Sequence, residues 1–224
     1  MIDPLTSSEA HEPDVYVAVE PVAAPAPRPR MTGSQRRQVI LAAARREFAR
    51  AGYHGASTAR IAQAAGCSEP MLYKHFSGKQ ALFAETLDDV YLVIEARFDA
   101  LFAQEGDIFT NLHGQLPAIM ADAAYAEMMQ LRKLAIALVT EPAVHDALVD
   151  IEHRHMKRVS DAVVKAIAAG TARPDIEPDY VAWMWTGMVL AACQREAMEP
   201  RGFVLMLPHA LTFLDSLRID SSHA

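Results

Sequence analysis

The fold is decided by residues 57–83, which read STARIAQAAGCSEPMLYKHFSGKQALF. Two short helices are predicted here, one capped by Ser57 and the next capped by Ser68. Gly66 lies between them, where the chain needs a residue that readily adopts a positive φ. Pro70 falls in the first turn of the second helix, where its missing N–H group leaves no hydrogen bond unmade. This arrangement is typical of a helix-turn-helix.

The rest of the chain after residue 31 has the spacing of apolar residues that is typical of helices, and no alternating run predicts a sheet. Ser34 is predicted to cap the first helix, which Gly52 ends, and Ser77 is predicted to cap a long fourth helix reaching about Gln104. Further helices are predicted at about residues 108–122, 125–140, 142–169, 178–197 and 202–218. The sequence therefore predicts an all-α protein of about nine helices.

Composition and pattern divide the chain into three regions. Residues 1–30 hold six of the 13 prolines and no sustained apolar period, which predicts a disordered, proline-rich N-terminal extension. A free extension and a basic arm that touches DNA are both open for this region. Residues 31–80 are predicted to form a head domain that contains the helix-turn-helix, and residues 81–224 a larger helical domain.

Charge is distributed unevenly along the chain. The 224 residues carry a formal charge of −7, which taken alone argues against a nucleic-acid partner. Residues 31–80, however, hold eight basic and two acidic residues, whereas residues 81–224 hold 11 basic and 21 acidic ones. Because affinity for phosphates depends on local charge, a cationic head on an acidic body favours DNA binding. A solvated basic helix face is the alternative.

Several classes of protein are disfavoured. Cys67 and Cys193 lie far apart, and no ligand spacing predicts a metal site, so neither a metal nor another cofactor is expected. The first 20 residues hold five acidic residues, unlike a secretory leader, and the apolar stretch 181–193 is too short to cross a bilayer. No G-x-S-x-G, P-loop, HExxH or dinucleotide fingerprint is present. We therefore expect a cytoplasmic protein that is not an enzyme.

The run from Ser57 to Phe83 closely resembles the signature of TetR-family transcriptional regulators, and residues 48–55, FARAGYHG, resemble the end of that family's first helix. The specific resemblance covers about residues 36–87. It implies a homodimer that binds double-stranded DNA at a palindromic operator. It also implies a helical body that binds an apolar or amphipathic small-molecule effector.

The polar residues of the head are the candidates for DNA contact, since the apolar ones are predicted to pack on Phe48 and Phe83. The resemblance implies phosphate contacts for one group of side chains, and the exposed start of the third helix is placed to read bases. Glu69 could instead complement the helix dipole, and Met71 could belong to the core. The predicted DNA-binding residues are Ser57, Thr58, Ser68, Glu69, Pro70, Met71, Tyr73, Lys74, His75 and Lys79.

One position of the head departs from the pattern. Ala59 stands where other regulators place a long polar side chain, so Arg60 or an N-terminal arginine supplies that contact, or no residue does.

Residues 81–224 are expected to supply the effector pocket and the dimer surface. The candidate pocket residues are Met120, Tyr125, Met128, Met129, Leu138 and Trp183. The helix at 178–197 is apolar nearly all round, so both of its faces must be covered, one of them by a partner subunit. The candidate dimer residues are Val181, Trp185, Met188, Ala192, Phe203, Leu207, Leu211 and Leu214. Plain core packing is the alternative for each of these residues.

The predicted function is that of a sequence-specific DNA-binding regulator, namely a repressor that a small molecule releases from a palindromic operator. The alternative is an all-α ligand-binding or scaffold protein with a non-functional DNA-binding head. Gel-shift of DNA fragments separates the two.

Overall fold

The structure, a computed structural model, describes residues 31–198 and 202–219. Over these residues the protein is all-α, as predicted, with one isolated bridge between Ala172 and Arg218. The predicted N-terminal extension lies outside the described residues. The helices are α1 (Gly33–Gly55), α2 (Thr58–Ala64), α3 (Glu69–His75), α4 (Lys79–Phe102), α5 (Ile108–Met120), α6 (Ala123–Ile136), α7 (Pro142–Ala168), α8 (Pro178–Met198) and α9 (Gly202–Ser216).

The first helix begins two residues earlier than predicted. Thr32, not Ser34, is its N-cap: Thr32 Oγ1 accepts a hydrogen bond from the Gln35 N–H at 3.2 Å, and Gln35 Oε1 accepts one from the Thr32 N–H at 2.9 Å. This reciprocal pair is a capping box, which satisfies two backbone donors at the start of the helix. Gly52 interrupts the regular helix with a φ of 69°, and one further turn continues to Gly55.

The helix-turn-helix is present where the sequence predicts it. Ser57 is the N-cap of α2, and Gly66 has a φ of 64° in the turn between α2 and α3. Ser68 precedes α3 as expected, although its side chain makes no capping hydrogen bond. The cap of α4 differs from the prediction, because Gly78 rather than Ser77 occupies that position.

A continuous apolar core joins the head to the body. Phe48 and Phe83 are fully buried and pack edge to face, with ring centroids 4.9 Å apart. The same cluster extends along α4 into α6, α7 and α8. The predicted domain boundary after residue 80 therefore falls inside one packed unit, because α4 contributes side chains to both parts. Buried members of the cluster include Ile61, Leu72, Phe76, Leu87, Val90, Ile94, Leu131, Ile151 and Cys193.

A second apolar cluster lies at the other end of the body, where α4, α5, α7, α8 and α9 meet. Its buried members include Leu101, Phe109, Leu112, Leu116, Val163, Val181, Trp185, Ala210, Leu214 and Leu217. In the part of the chain that the structure describes, no helix is both long enough and apolar enough to cross a membrane.

Candidate nucleic-acid interface and interior cavities

The third helix exposes most of its side chains. Leu72 is fully buried and anchors α3 in the core of the head. Met71 and Tyr73 are 40% and 46% exposed, and Pro70 and Lys74 are exposed as well. Of the residues that we expect to read bases, Pro70, Met71 and Lys74 are therefore open to solvent, Glu69 is half-buried, and Met71 lies outside the core. Their contacts with DNA stay a prediction.

A hydrogen-bonded chain links the starts of α2 and α3. Thr58 Oγ1 donates to Glu69 Oε1 at 2.5 Å, and the Tyr73 hydroxyl donates to Thr58 Oγ1 at 3.2 Å. Three predicted DNA-binding residues are thus brought together. Glu69 carries its negative charge in the first turn of α3, where it also complements the helix dipole.

Three further predicted DNA-binding residues, Lys79, Ser68 and His75, differ in their surroundings. Lys79 Nζ donates to the His54 carbonyl oxygen at 3.3 Å and lies 4.8 Å from the centroid of the Tyr53 ring. Its ammonium group is therefore held against the end of α1. Ser68 is exposed and His75 is half-buried.

A buried carboxylate behind α2 was missed by the sequence analysis. Glu47 is 9% exposed, and its carboxylate accepts hydrogen bonds from the Ser57 N–H at 3.2 Å and from Arg60 Nε at 2.8 Å. Burial raises the pKa of Glu47, but hydrogen bonds from Arg50, Ser57 and Arg60 outweigh burial and hold the pKa below its usual value. Arg60, the proposed substitute for a long side chain at Ala59, is therefore bound to Glu47.

Two interior cavities lie in the body beside α4, and they share the lining residues Phe98, His155, Arg158 and Trp185. The first cavity is otherwise lined by apolar side chains: Phe102, Ile108, Phe109, Leu112, Val159, Ala162, Val163, Ala166, Val181, Leu214 and Leu217. The second cavity mixes polar and apolar side chains: Tyr91, Ile94, Glu95, Leu116, Met120, Tyr125, Met128, Arg132, Glu152, Thr186, Val189 and Met206.

Half of the predicted pocket residues line one of these two cavities. Met120, Tyr125 and Met128 line the second one. Met129 and Leu138 are buried in the core cluster that continues into the head, and neither lines these two cavities. The positions of Met129 and Leu138 therefore agree with the alternative of plain core packing.

The sixth predicted pocket residue lies outside these two cavities. Trp183 is 70% exposed and lines a more open cavity between α6, α7 and α8, so its place in an effector pocket stays a prediction. Trp185, two residues further along α8, is 7% exposed and lines both cavities. Residues two apart on a helix lie on nearly opposite sides, which explains why Trp185 rather than Trp183 faces these cavities.

A buried polar network occupies the second cavity's wall. Arg132 is 6% exposed, its Nη1 donates to the Tyr91 hydroxyl at 2.6 Å, and its Nη2 forms an ion pair with Glu152. Burial raises the pKa of Tyr91 to about 12, so its hydroxyl stays protonated at neutral pH. Burial also lowers the pKa of Arg132, but the interactions with Tyr91 and Glu152 outweigh burial, so the pKa of Arg132 lies above its usual value.

Ion pairs between α4 and α7 continue this network. Glu95 is 5% exposed and lies 3.4 Å from Arg154 Nε and 3.5 Å from Arg158 Nη2. Arg158 Nε donates to Asp99 at 2.5 Å, and Arg154 Nη2 donates to Asp88 at 2.5 Å. The two helices that enclose the cavities are therefore joined by charged side chains as well as by apolar contacts.

Comparison with known proteins places the head in a family. Residues 40–86 match the family model of bacterial regulatory proteins, tetR family. A crystal structure from Mesorhizobium loti MAFF303099, named as a TetR-family transcriptional regulator, is 26% identical, with a TM-score of 0.67 over 84% of this chain and 96% of that one. Residues 40–86 of this chain are therefore a TetR-family domain.

Two curated relatives, both named as HTH-type transcriptional regulators, show how far the sequence similarity extends. The transcriptional activator FasR of Mycolicibacterium smegmatis is 43% identical over 58 residues, which are 26% of this chain and 26% of FasR. The transcriptional repressor AcnR of Corynebacterium diphtheriae is 29% identical over 153 residues, 66% of this chain and 74% of AcnR. The match to FasR thus spans far less than two thirds of that relative's length.

Four of the eight residues that we expected at the dimer surface are buried within the chain itself. Val181, Trp185, Ala192 and Leu214 are 3%, 7%, 2% and 6% exposed. Their side of α8 and α9 packs against α4, α5 and α7 within the chain, so a contact of these four residues with a partner stays a prediction. Met188, Leu207 and Leu211 are half-buried, and the side chain of Phe203 lies outside the described residues.

The opposite side of these two helices is exposed and largely apolar. On α8, Trp183 is 70% and Met184 40% exposed, and Gly187 and Ala191 are exposed too. On α9, Leu205 is 50% exposed. We define these five residues as the outer face. Exposed apolar side chains of this kind make the outer face a candidate interaction surface.

Protonation of His155 is expected to destabilise the protein. Burial lowers the pKa of His155 to about 4, and Arg132 and Arg158 act in the same direction while Glu152 opposes them. An unfolded histidine has a pKa near 6.5, so the unfolded chain binds more protons between these two values, and stability falls as the pH falls. Between pH 7 and pH 5 we expect His155 to lower the free energy of unfolding by about 2 kcal/mol.

Urea unfolding of the wild type and of His155→Gln at both pH values measures this contribution. Between pH 7 and pH 5, the free energy of unfolding of the variant should fall by about 2 kcal/mol less than that of the wild type. An equal loss in both proteins would show that His155 does not titrate in this way.

Proposed function

We propose that this TetR-family regulator binds a palindromic operator as a homodimer, represses transcription there, and leaves the DNA when a small apolar or amphipathic effector enters its body. The proposal rests above all on the exposed side chains of α3 in a head of net charge +6. Basic charge at the head and a solvent-exposed recognition helix are the features that helix-turn-helix proteins need for the major groove. Contact with bacterial DNA would place the protein in the cytoplasm.

The homodimer is proposed to form through the outer face. One recognition helix makes few contacts, so two heads spaced by one turn of DNA are needed for tight binding. The outer face of α8 and α9 offers an apolar surface that a second copy can cover by a twofold axis. Gly187 and Ala191 allow two helices to approach closely there.

The fourth helix supports coupling between effector and operator. It begins at Lys79, four residues after α3 ends, and it carries Tyr91, Phe98 and Phe102 on the cavity walls. Each cavity has a volume of only about 50 Å³. A ligand larger than this must move α4 relative to α7, and a movement of α4 changes the position of the head. The required coupling free energy is on the order of 1–3 kcal/mol.

Repression is favoured over activation by the extent of similarity. AcnR, which is named a repressor, matches 66% of this chain, whereas FasR, which is named an activator, matches 26%. The FasR match is too short to include the body, where an effector would act.

Operator binding tests the proposal. Full-length protein is titrated by fluorescence anisotropy with palindromic fragments from the DNA upstream of its own gene, at several salt concentrations. We expect Lys74→Ala to reduce the discrimination between correct and incorrect bases at one base pair by about 1–3 kcal/mol. We expect Lys79→Ala to lower the affinity for all fragments alike, and to reduce the slope of log affinity against log salt concentration by about 1.

Lys157→Ala is the matched control, because Lys157 lies on α7 with its side chain 75% exposed. This substitution removes the same charge from the body and should leave operator affinity unchanged. If the wild type binds no palindromic fragment even at low salt, the proposed function is wrong. If all three variants bind like the wild type, the residue assignments are wrong.

A further inference from the structure

We infer that the effector is an uncharged amphipathic molecule whose polar group both donates and accepts hydrogen bonds, such as an alcohol or a primary amide on a hydrocarbon body. The site is formed by the two interior cavities that share Phe98, His155, Arg158 and Trp185. The inference deepens the proposed function and rests on it for the statement that the occupant regulates DNA binding.

The first cavity selects a hydrocarbon. Among its lining residues only His155 and Arg158 are ionisable, and both lie on the side that it shares with the second cavity. The remaining wall consists of aromatic and aliphatic side chains such as Phe102, Leu112 and Val163. Apolar surface that enters this space gains about 25 cal/mol for each Å² removed from water, whereas a polar group would find no partner there.

The second cavity holds polar atoms that lack partners. Glu95 Oε1, Arg158 Nη1 and Thr186 Oγ1 are buried and make no hydrogen bond within the described part of the chain. Glu95 and Thr186 are 5% and 8% exposed, so water reaches them poorly. Leaving such atoms unpaired costs about 1–3 kcal/mol each. A ligand group that donates to Glu95 and accepts from Arg158 would recover part of this cost.

The charges around the second cavity cancel. Its lining contains two carboxylates, Glu95 and Glu152, and two guanidinium groups, Arg132 and Arg158. His155 adds no charge at neutral pH, because burial lowers its pKa to about 4. The neighbouring ions Asp88, Asp99 and Arg154 have side chains 41%, 57% and 37% exposed, so solvent screens them.

This balance decides the class of ligand. A carboxylate or an ammonium group would bring a net charge into a buried site that has no spare counter-ion, and its desolvation would be uncompensated. A hydroxyl or a primary amide carries no net charge and offers both a donor and an acceptor. The neutral group therefore fits the lining better than either ion.

A matched series of eight-carbon ligands tests the inference. Octan-1-ol, octanamide, octanoate and octylammonium are each titrated into the full-length protein at pH 7.5 by isothermal titration calorimetry, without DNA. We expect octan-1-ol to bind saturably and at least about tenfold more tightly than either ion, a difference of about 1.4 kcal/mol. Equal or tighter binding of either ion overturns the inference, and so does the absence of saturable binding by both octan-1-ol and octanamide.

Two variants locate the binding site. Glu95→Gln leaves the lining with a net positive charge, so the affinity for octanoate relative to octan-1-ol should rise at least about tenfold. The same substitution at the exposed Glu105 is the control and should change neither affinity. Thr186→Val removes one hydroxyl while keeping the side-chain shape, and it should weaken octan-1-ol severalfold without weakening octanoate. Unchanged selectivity in both cavity variants overturns the assignment of the site.

Operator affinity is then measured with and without saturating octan-1-ol. Loss of operator affinity on addition of the alcohol supports its role as an effector, and an unchanged affinity contradicts that role. Because ligand binding is measured on the protein alone, a failure to bind operator DNA contradicts the proposed function, whereas a preference for an ion contradicts this inference.

Discussion

Leu205→Arg is expected to dissociate the homodimer and to lower operator affinity at least about 100-fold. Leu205 is 50% exposed on α9 and belongs to the outer face with Gly187 and Ala191 of α8. A twofold axis brings the same patch from both subunits together, so one substitution buries two like charges in an apolar contact. The two heads then bind DNA separately. Linking two binding modules raises the overall affinity by a factor of about 10²–10⁴, and the variant loses this gain.

Leu92→Arg is the matched control, because Leu92 is also 50% exposed but lies on α4, outside the outer face. Sedimentation velocity gives the oligomeric state of both variants, and fluorescence anisotropy gives their operator affinity. We expect the Leu92 variant to behave as the wild type does. A Leu205 variant that remains dimeric and binds operator normally would show that the subunits meet elsewhere.

The helix-turn-helix could be predicted because its signals are local. Ser57 and Gly66 act within a few residues of their own position, so their roles do not depend on the rest of the chain. Local signals compete where two capping residues are near each other. Both Thr32 and Ser34 can cap α1, and the choice falls to Thr32 because Gln35 stands three residues later and completes the capping box.

The orientation of α8 could not be predicted from its sequence. Apolar residues surround this helix, so periodicity gives no contrast between an inward and an outward side. The exchange of Trp183 and Trp185 follows from this ambiguity. The burial of the expected dimer residues Val181 and Ala192 within the chain could not be foreseen for the same reason, since only the packing of α4 and α7 decides which side is buried.

The buried charges could be predicted only in part. Glu47 lies three residues after Ala44, on the same inward side of α1, and this spacing is a signal that the sequence offered. The network of the second cavity offers no such signal. Arg132 binds Tyr91 across 41 residues and Glu152 across 20, and these separations follow from tertiary packing alone.

Phe48→Ala is expected to destabilise the protein by about 3–5 kcal/mol, because it empties a fully buried aromatic position. Phe48 stacks on Tyr53 with ring centroids 6.1 Å apart and meets Phe83 of α4 edge to face. The substitution therefore removes packing both within the head and between the head and α4. Operator affinity should fall as well, because α2 and α3 pack against the same core.

Phe48→Leu separates lost packing volume from other effects. Leucine retains most of the apolar volume, so its cost should be about 1–2 kcal/mol, well below that of alanine. Urea unfolding followed by circular dichroism measures both free energies. Nearly equal losses for alanine and leucine would mean that aromatic contact with Phe83, rather than filled volume, holds the head on α4. A loss below about 1 kcal/mol for alanine would contradict the burial of Phe48 in a shared core.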